Sequence, residues 1–323
     1  MDIFAFFNTL LWPIRWVIEA ILVSFHSLLT AVGLDSAAGL TWVLSIVGLV
    51  LVVRAALIPI FVRQIKSQRR MLEIAPQLKK IQDKYKGKRD QFSREAMSRE
   101  TMEAYKKAGT NPFASCLPLL LQMPIFFGLF SVLNDAAQGK RGVGMLDQER
   151  ATEFGGAELF GLAPLAESMS TASNGAVIVI ALIMIVLMTA SQFITQLQIM
   201  SKNQSPQMKE SPMYRQQKVL LYILPLVFAF SGFAFPLGVM FYWLTSNFWT
   251  MVQQFIVIRN LPTPGSEAAQ AREARLAKKR RRKGIEDPQP DSATIVIEEP
   301  PKKAQRVQPV SKNRAKKQSG PKK

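Results

Sequence analysis

Groups that do chemistry are scarce in this chain. Its 323 residues include one cysteine, Cys116, and one histidine, His26. A single cysteine excludes an internal disulfide, and the two residues together cannot build the common zinc sites, which need clusters of Cys and His. Triads that depend on histidine lack support, because His26 lies in an apolar stretch with no Ser or Cys nucleophile motif near it. No glycine loop of the phosphate-binding kind is present either. With no acid, base and metal constellation, an enzyme is not expected, nor is a resident metal or cofactor.

Long uncharged runs are what the chain has instead. Crossing a hydrocarbon core of about 30 Å takes roughly 20 mostly apolar residues. Thr41 to Val62 is interrupted only by Arg54, while Asn111 to Leu133 and Gly175 to Met200 carry no charge. Val219 to Ile258 is a further uncharged run of 40 residues, twice the length of one crossing. Phe235-Pro236-Leu237-Gly238 divides it, since proline removes a helix donor and glycine admits unusual backbone angles. The expected architecture is therefore an all-α polytopic membrane protein with five transmembrane helices, over residues 40–63, 111–133, 175–200 and a helical pair within 219–258.

The first apolar stretch, Ile3 to Phe25, is of another kind. At 100° per residue Asn8, Arg15, Glu19 and His26 fall within about 40° of one another, a narrow polar stripe on an otherwise greasy helix. Residues 1–39 are accordingly expected to hold an amphipathic helix lying in the membrane interface. The basic region that opens a cleaved signal peptide is missing, and Asp2 stands in its place.

Charge orients the chain. The formal net charge of +18 is unevenly spread: residues 63–110 carry +8, 134–174 carry −3, 201–218 carry +3 and 259–323 carry +11. The sign alternates from one connection to the next. By the positive-inside rule the N-terminus and the 134–174 loop lie outside, whereas the 64–110 and 201–218 connections and the C-terminus are cytoplasmic. An odd number of spans requires opposite ends, so charge and helix count agree.

Two cytoplasmic segments have their own character. Within 64–110, Met71, Leu72, Ile74, Leu78 and Ile81 recur at helical spacing, a turn forms around Gly87, and a second helix runs from about Ser93 with Met97, Thr101, Met102 and Tyr105 in a stripe. This is a basic helical hairpin. Beyond Arg259 the composition turns to Pro, Ala, Lys, Arg and Gln, with a helix expected over 266–283 and disorder over the remainder. Six consecutive cations, Lys278, Lys279, Arg280, Arg281, Arg282 and Lys283, suit polyanions, with ribosomal RNA and anionic lipids both fitting. No aromatics are interleaved for base stacking, so sequence-specific RNA reading is not expected.

Arg54 is the anomaly. It stands nine residues before Arg63, roughly 13 Å from the cytoplasmic end of its helix at 1.5 Å per residue. An arginine at such depth costs from about 2.5 to more than 10 kcal/mol and normally pairs with an acid or faces water. None of the five spans contains Asp or Glu. Arg54 therefore points to a hydrated, positively charged cavity lined by Gln122, by Gln192 with Thr195 and Gln196, and by Tyr242, Trp243, Thr245, Ser246 and Asn247. Backbone carbonyls, lipid phosphate or Glu19 are the other groups that can satisfy it. A channel or carrier for small anions, with Arg54 as its binding charge, is the alternative function for such a cavity. Without intramembrane Asp, Glu or His, a proton relay is not expected.

These residues also resemble a known family. Arg54-Ala55-Ala56-Leu57-Ile58-Pro59, the hairpin, Asn111-Pro112, Cys116-Leu117-Pro118, Gln122-Met123-Pro124-Ile125-Phe126, and Phe235-Pro236 through Tyr242-Trp243 to Ser246-Asn247 and Gln253-Gln254 are similar, in order and spacing, to the YidC/Oxa/Alb membrane protein insertases. The resemblance covers roughly residues 40 to 261 and is to the short bacterial form, without a large extracytoplasmic domain and, here, without a lipoprotein-type cysteine. It implies a plasma-membrane insertase and chaperone that needs no nucleotide. Five helices would surround a hydrophilic groove open to the cytoplasm and the lipid and closed outside. Arg54 would be the groove cation, Gln122 and Trp243 its lining, and Tyr242 a neighbour; where some members carry a substrate-touching hydroxyl one turn before the arginine, this chain has Val50. The implied partners are nascent membrane proteins, the ribosome through the basic tail, and the Sec translocon.

Overall fold

A computed structural model describes residues 3–88, 90–109, 117–209 and 212–285. Asn111, Pro112 and Cys116, and the tail beyond residue 285, lie outside the described residues. The described chain is almost entirely helical. Helix α1 spans Ile3–Ala31, α2 Gly39–Glu73, α3 Ala75–Lys84, α4 Gln91–Lys107, α5 Leu117–Ala137 and α6 Gln148–Gly156. After a two-stranded antiparallel hairpin, β1 Glu158–Leu159 with β2 Ala163–Pro164, come α7 Gly175–Lys202, α8 Pro206–Lys209, α9 Pro212–Ala234, α10 Leu237–Asn260 and α11 Glu267–Arg282. The chain divides into two compact units, 1–275 and 276–323, and the bundle lies in the first.

Local chemistry accounts for the boundaries. Asp90 caps α4 by accepting from the Ser93 amide at 2.8 Å, and Asn174 caps α7 through the Val177 amide. Gly87 and Gly109, both with positive φ, make the hairpin turn and end α4. The break between α9 and α10 falls at Phe235-Pro236, with Pro236 as the residue before the first turn of α10.

Three described helices are long and apolar enough to cross a membrane: Thr9–Ala31 of α1, Gly39–Ser67 of α2 and Gly175–Lys202 of α7, with mean hydropathies of 1.4, 2.6 and 2.7. In α10 the polar groups from Tyr242 to Asn247, with Gln253 and Gln254, dilute the apolar average. Large apolar side chains stand exposed on α7 (Val179, Ile183, Val186) and α9 (Ile223, Val227, Phe230). A belt of that size on a folded protein needs a nonaqueous neighbour, and lipid supplies it.

The core is concentrated at one end. Trp42, Ile46 and Leu49 of α2, Leu129 and Leu133 of α5, and Leu237 and Met240 of α10 meet Leu146, Phe154 and Leu165 of the 134–174 loop, all of them fully buried. Phe154 stands edge-on to Trp42 at 5.3 Å between ring centroids. A Cβ on Gly238 would come within 2.9 Å of the Phe154 ring, so glycine is what lets α10 approach this loop. The amides of Leu237 and Gly238 donate to the carbonyls of Glu167 and Leu165 at 2.9 Å, tying the start of α10 to it.

Helix α1 differs from the sequence expectation in one respect. Its polar stripe is buried against the protein. Arg15 pairs with Asp135 at 2.7 Å, Glu19 accepts from the Val143 and Gly144 amides at 2.9 and 2.6 Å, and His26 stacks on Trp42 while its Nε2 donates to the Ser36 carbonyl at 2.9 Å. The Asn8 side chain lies outside the described residues. Those partners all belong to one end of the bundle, at the end of α5, in the loop after it and just before α2. Its apolar Leu10, Trp12, Trp16 and Val17 remain exposed.

Two outcomes are expected from this packing. Glu19→Ala strips two buried backbone amides of their acceptor and should destabilise the protein by about 2–4 kcal/mol, read as a lower Tm in detergent, with Glu19→Gln losing less. In the hairpin, the Glu100 carboxyl is held below its usual range by hydrogen bonds from Lys84 and Tyr85. A depressed carboxylate stabilises above its unfolded pKa and ceases to as pH falls through the folded one. Amide-exchange protection of α3 and α4 should therefore weaken as pH drops below about 4, and Glu100→Gln should remove part of that pH dependence, leaving the part due to Asp90, whose carboxyl is held low by Ser93.

Candidate functional site

Arg54 sits in the middle of α2, in a helix with no break around it. Pro59, five residues on, removes the amide that would bond the Ala55 carbonyl, and Pro124 in α5 does the same for Leu120. Both loosened turns lie close to the half-buried Arg54. From α10, Tyr242 and Ser246 present one face, four residues apart, toward α2.

The cation is partnered without being neutralised. Its Nη2 donates to the Ser246 hydroxyl. The Tyr242 hydroxyl lies within interaction range of Arg54, Ser246 and Gln122. Together Arg54, Gln122 and Tyr242 line a narrow cleft of about 10 Å³ whose other walls are Val50, Val53, Leu57, Ile125 and Leu129. No carboxylate is among the described residues that line it. Glu19 is occupied with the 143–144 amides and is not the partner of Arg54. A guanidinium has five N–H donors, so the neutral oxygens leave its charge uncompensated and part of its donor set free for a ligand.

Of the residues expected in the cavity, the structure gathers Arg54, Gln122, Tyr242 and Ser246. The others serve different contacts. Trp243 joins an aromatic cluster with Phe126 and Phe235, at 5.6 and 5.7 Å between centroids. Asn247 turns to α7 and donates to the Met188 carbonyl at 3.5 Å. Thr195 and Thr245 donate back to their own helices, to Ser191 and Phe241. Gln192 is half-buried on α7 and does not line the Arg54 cleft. Sequence reasoning placed Val50 beside Arg54 through the family resemblance and missed the rest of the apolar wall, Val53, Leu57, Ile125 and Leu129. The three- and four-residue steps of Val50, Val53 and Leu57, and of Gln122, Ile125 and Leu129, were the available signal.

Toward the 134–174 loop, the chain beyond the cleft is the packed core around Trp42 and Phe154. In the other direction α2 continues through Arg63 to the basic α3–α4 hairpin, where Lys84 bonds Glu100 at 2.6 Å. Among the described residues no group of three or more His, Cys, Asp or Glu is placed to hold a metal ion. Of the polycation, Lys278 to Arg282 lie on α11 and Lys283 just follows it, all in the second unit.

Comparison with known proteins bears on this arrangement. Residues 33–264 match the family described as 60Kd inner membrane protein. A protein of Tropheryma whipplei named membrane protein insertase YidC is 44% identical over 97% of this chain and 98% of its own length. Proteins of the same name from Streptomyces avermitilis and Bifidobacterium longum are 46% and 36% identical, covering 84% and 96% of this chain and 63% and 96% of their own.

The Arg54–Ser246 contact can be measured as a coupling. Ser246→Ala should cost about 1.5–3 kcal/mol, the range for a hydrogen bond to a charged group. In an Arg54→Met background the same change should cost well under half of that, read by unfolding in mixed micelles. Equal costs in both backgrounds would show that the two side chains are not coupled.

Proposed function

The chain belongs to the 60Kd inner membrane protein family, and from that membership and the Arg54 cleft we propose that it is a membrane protein insertase and assembly chaperone acting without nucleotide. The observation that carries the mechanism is a cation in the middle of a long apolar helix whose partner among the described residues is the neutral Ser246 hydroxyl. In this reading α2, α5, α7, α9 and α10 are the five spans. The N-terminus and the 134–174 loop lie outside, and the hairpin and basic tail lie in the cytoplasm. Helix α1 lies along the outer interface, with its stripe spent on the loop and its exposed tryptophans at headgroup level.

The mechanism follows from two opposing magnitudes. About 20 apolar residues at roughly 0.3–0.6 kcal/mol each yield some 6–12 kcal/mol on entering lipid, whereas each acidic residue at mid-membrane costs roughly 2.5–3.5 kcal/mol. A client with one acidic residue in its outer tail crosses on the strength of its apolar segment. With three or four, the balance is lost. Arg54 offers such a tail an opposite charge part-way across, and Gln122, Tyr242 and Ser246 offer hydrogen bonds, so the polar tail need not face bare hydrocarbon. Once the apolar segment has moved sideways into lipid, the tail is released outward. The cytoplasmic hairpin captures the client, and the polycation from Lys278 to Lys283 keeps the ribosome near. Nascent membrane proteins are the substrates, with the Sec translocon as a neighbour and anionic lipids around the basic segments.

Reconstituted vesicles test this. Protein-bearing vesicles should insert a single-span client with an acidic outer tail without nucleotide, and insertion equal to that of empty vesicles would refute the proposal. Arg54→Lys should retain most activity and Arg54→Glu should lose it, with the deficit growing as acidic residues are added to the tail. A saturable small-anion flux abolished by Arg54→Ala, without client insertion, would instead identify a carrier.

A further inference from the structure

A second cationic site lies away from Arg54, where the ends of α7 and α10 meet the start of α11. The segment after α10 folds back onto the α7–α8 connection: the Thr263 amide donates to Asn203 Oδ1 at 2.8 Å, and Thr263 and Ser266 are almost wholly buried. The Ser266 hydroxyl accepts from the Ala269 amide at 3.2 Å and so caps α11. This fold fixes the first two turns of α11 beside the two helix ends. Between them is a concave site of about 210 Å³ with Lys202 of α7, Arg259 of α10 and Arg275 of α11 on its walls.

Three cations converge here from three helices, and no carboxylate is among the described residues that line the site. Arg275 Nη2 donates to the Arg259 carbonyl at 2.8 Å, which holds its guanidinium over the end of α10. The floor is different in kind: Phe255 and Ile258, one turn and less before Arg259, continue directly into the apolar body of α10. Gln198 of α7 adds an amide at the same level. Positive charge above and apolar surface below, at the depth where two helices leave the hydrocarbon, is the pattern of one molecule that carries phosphate and acyl chain covalently joined. A polynucleotide supplies the phosphate and has nothing for the apolar floor.

We propose that Lys202, Arg259 and Arg275 form a binding site for the headgroup of an anionic phospholipid of the cytoplasmic leaflet, with Phe255 and Ile258 against its glycerol and upper acyl chain. The proposal rests on the orientation given above, which puts this end of the bundle in the cytoplasm. A lipid held there bridges α7, α10 and α11, and so joins the span that carries Tyr242 and Ser246 to the root of the basic tail.

Native mass spectrometry of the full chain, released from micelles with equal phosphatidylglycerol and phosphatidylcholine of matched chains, tests it. The wild-type protein should retain phosphatidylglycerol selectively. Each change among Lys202→Gln, Arg259→Gln and Arg275→Gln should weaken retention about fivefold, and the triple variant about a hundredfold. Lys202→Arg should behave as wild type. Undiminished selectivity in the triple variant overturns the proposal. Displacement of phosphatidylglycerol by single-stranded RNA at the same variant-sensitive site overturns it in favour of a polynucleotide. Orientation is scored separately: in a Cys116→Ala background, Gln270→Cys should react with an impermeant maleimide only from the cytoplasmic side. Labelling from outside would refute the topology while leaving the lipid measurement readable.

Discussion

A guanidinium in the middle of a spanning helix, without a counter-ion, is the constraint around which the rest of this structure is arranged. Such a group loses most of its hydration, and an acidic partner would restore its balance at the cost of its attraction for anything else. Here the compensation comes from dipoles. Ser246 accepts from Arg54, Tyr242 and Gln122 stand beside it, and the remaining walls are apolar. At an effective dielectric near 20, an opposite charge about 4 Å away is worth roughly 4 kcal/mol, comparable to the cost of bringing one acidic residue to mid-membrane. A resident carboxylate would cancel that term. Under the proposed mechanism, neutral acceptors keep Arg54 in place and leave its field available to a client.

Holding α2 and α10 in register is therefore the task of the outer end. The 134–174 loop is a packed lid, with Leu146, Phe154 and Leu165 as buried as the helices beneath them. It is fixed from both sides: Gly238 and Leu237 bond it to the start of α10, while Glu19 and Arg15 of α1 hold the 143–144 turn and the end of α5. Glycine is required at the tightest of these contacts, since a Cβ on Gly142 would fall 2.4 Å from the Glu19 carboxylate. Rigidity thus lies on the side that the proposed mechanism needs closed. Charge and exposed helical surface lie on the side where the proposed mechanism has clients arrive.

Much of this was legible in the sequence because lipid imposes simple rules. Run length and proline placement located the helices, and the division at Phe235-Pro236 matches the end of α9 and the start of α10. Arg54 announced itself by depth alone. What one-dimensional reading lacked was direction around the bundle. The hydroxyls and amides of α10 are equivalent on a list, yet Ser246 and Tyr242 face Arg54, Asn247 faces α7, and Trp243 faces the phenylalanines of α5 and the α9–α10 turn. Helical angle separates neighbours such as Ser246 and Asn247 by 100°, but only packing says which sector meets which helix. The α1 stripe shows the same limit. Its narrowness was readable, whereas the loop that buries it has no periodic signature.

The two cationic sites stand at opposite depths and differ in what surrounds them. Arg54 is one charge, wrapped by apolar walls and held by a hydroxyl on a neighbouring helix. Lys202, Arg259 and Arg275 are three charges at a helix boundary, open on one side. Solvent and salt screen the second set and scarcely reach the first, so a single deep charge acts more strongly on a polar tail than several shallow ones. In the proposed scheme the shallow charges orient and anchor, tasks that tolerate exchange of one cation for another. The deep one would select, because in low dielectric the sign of the charge brought to it decides whether the encounter attracts or repels. On that reading an acidic outer tail and the arginine of α2 are complementary, and the neutral lining of Gln122, Tyr242 and Ser246 is what would allow the complementarity to be used and released rather than trapped as a permanent ion pair.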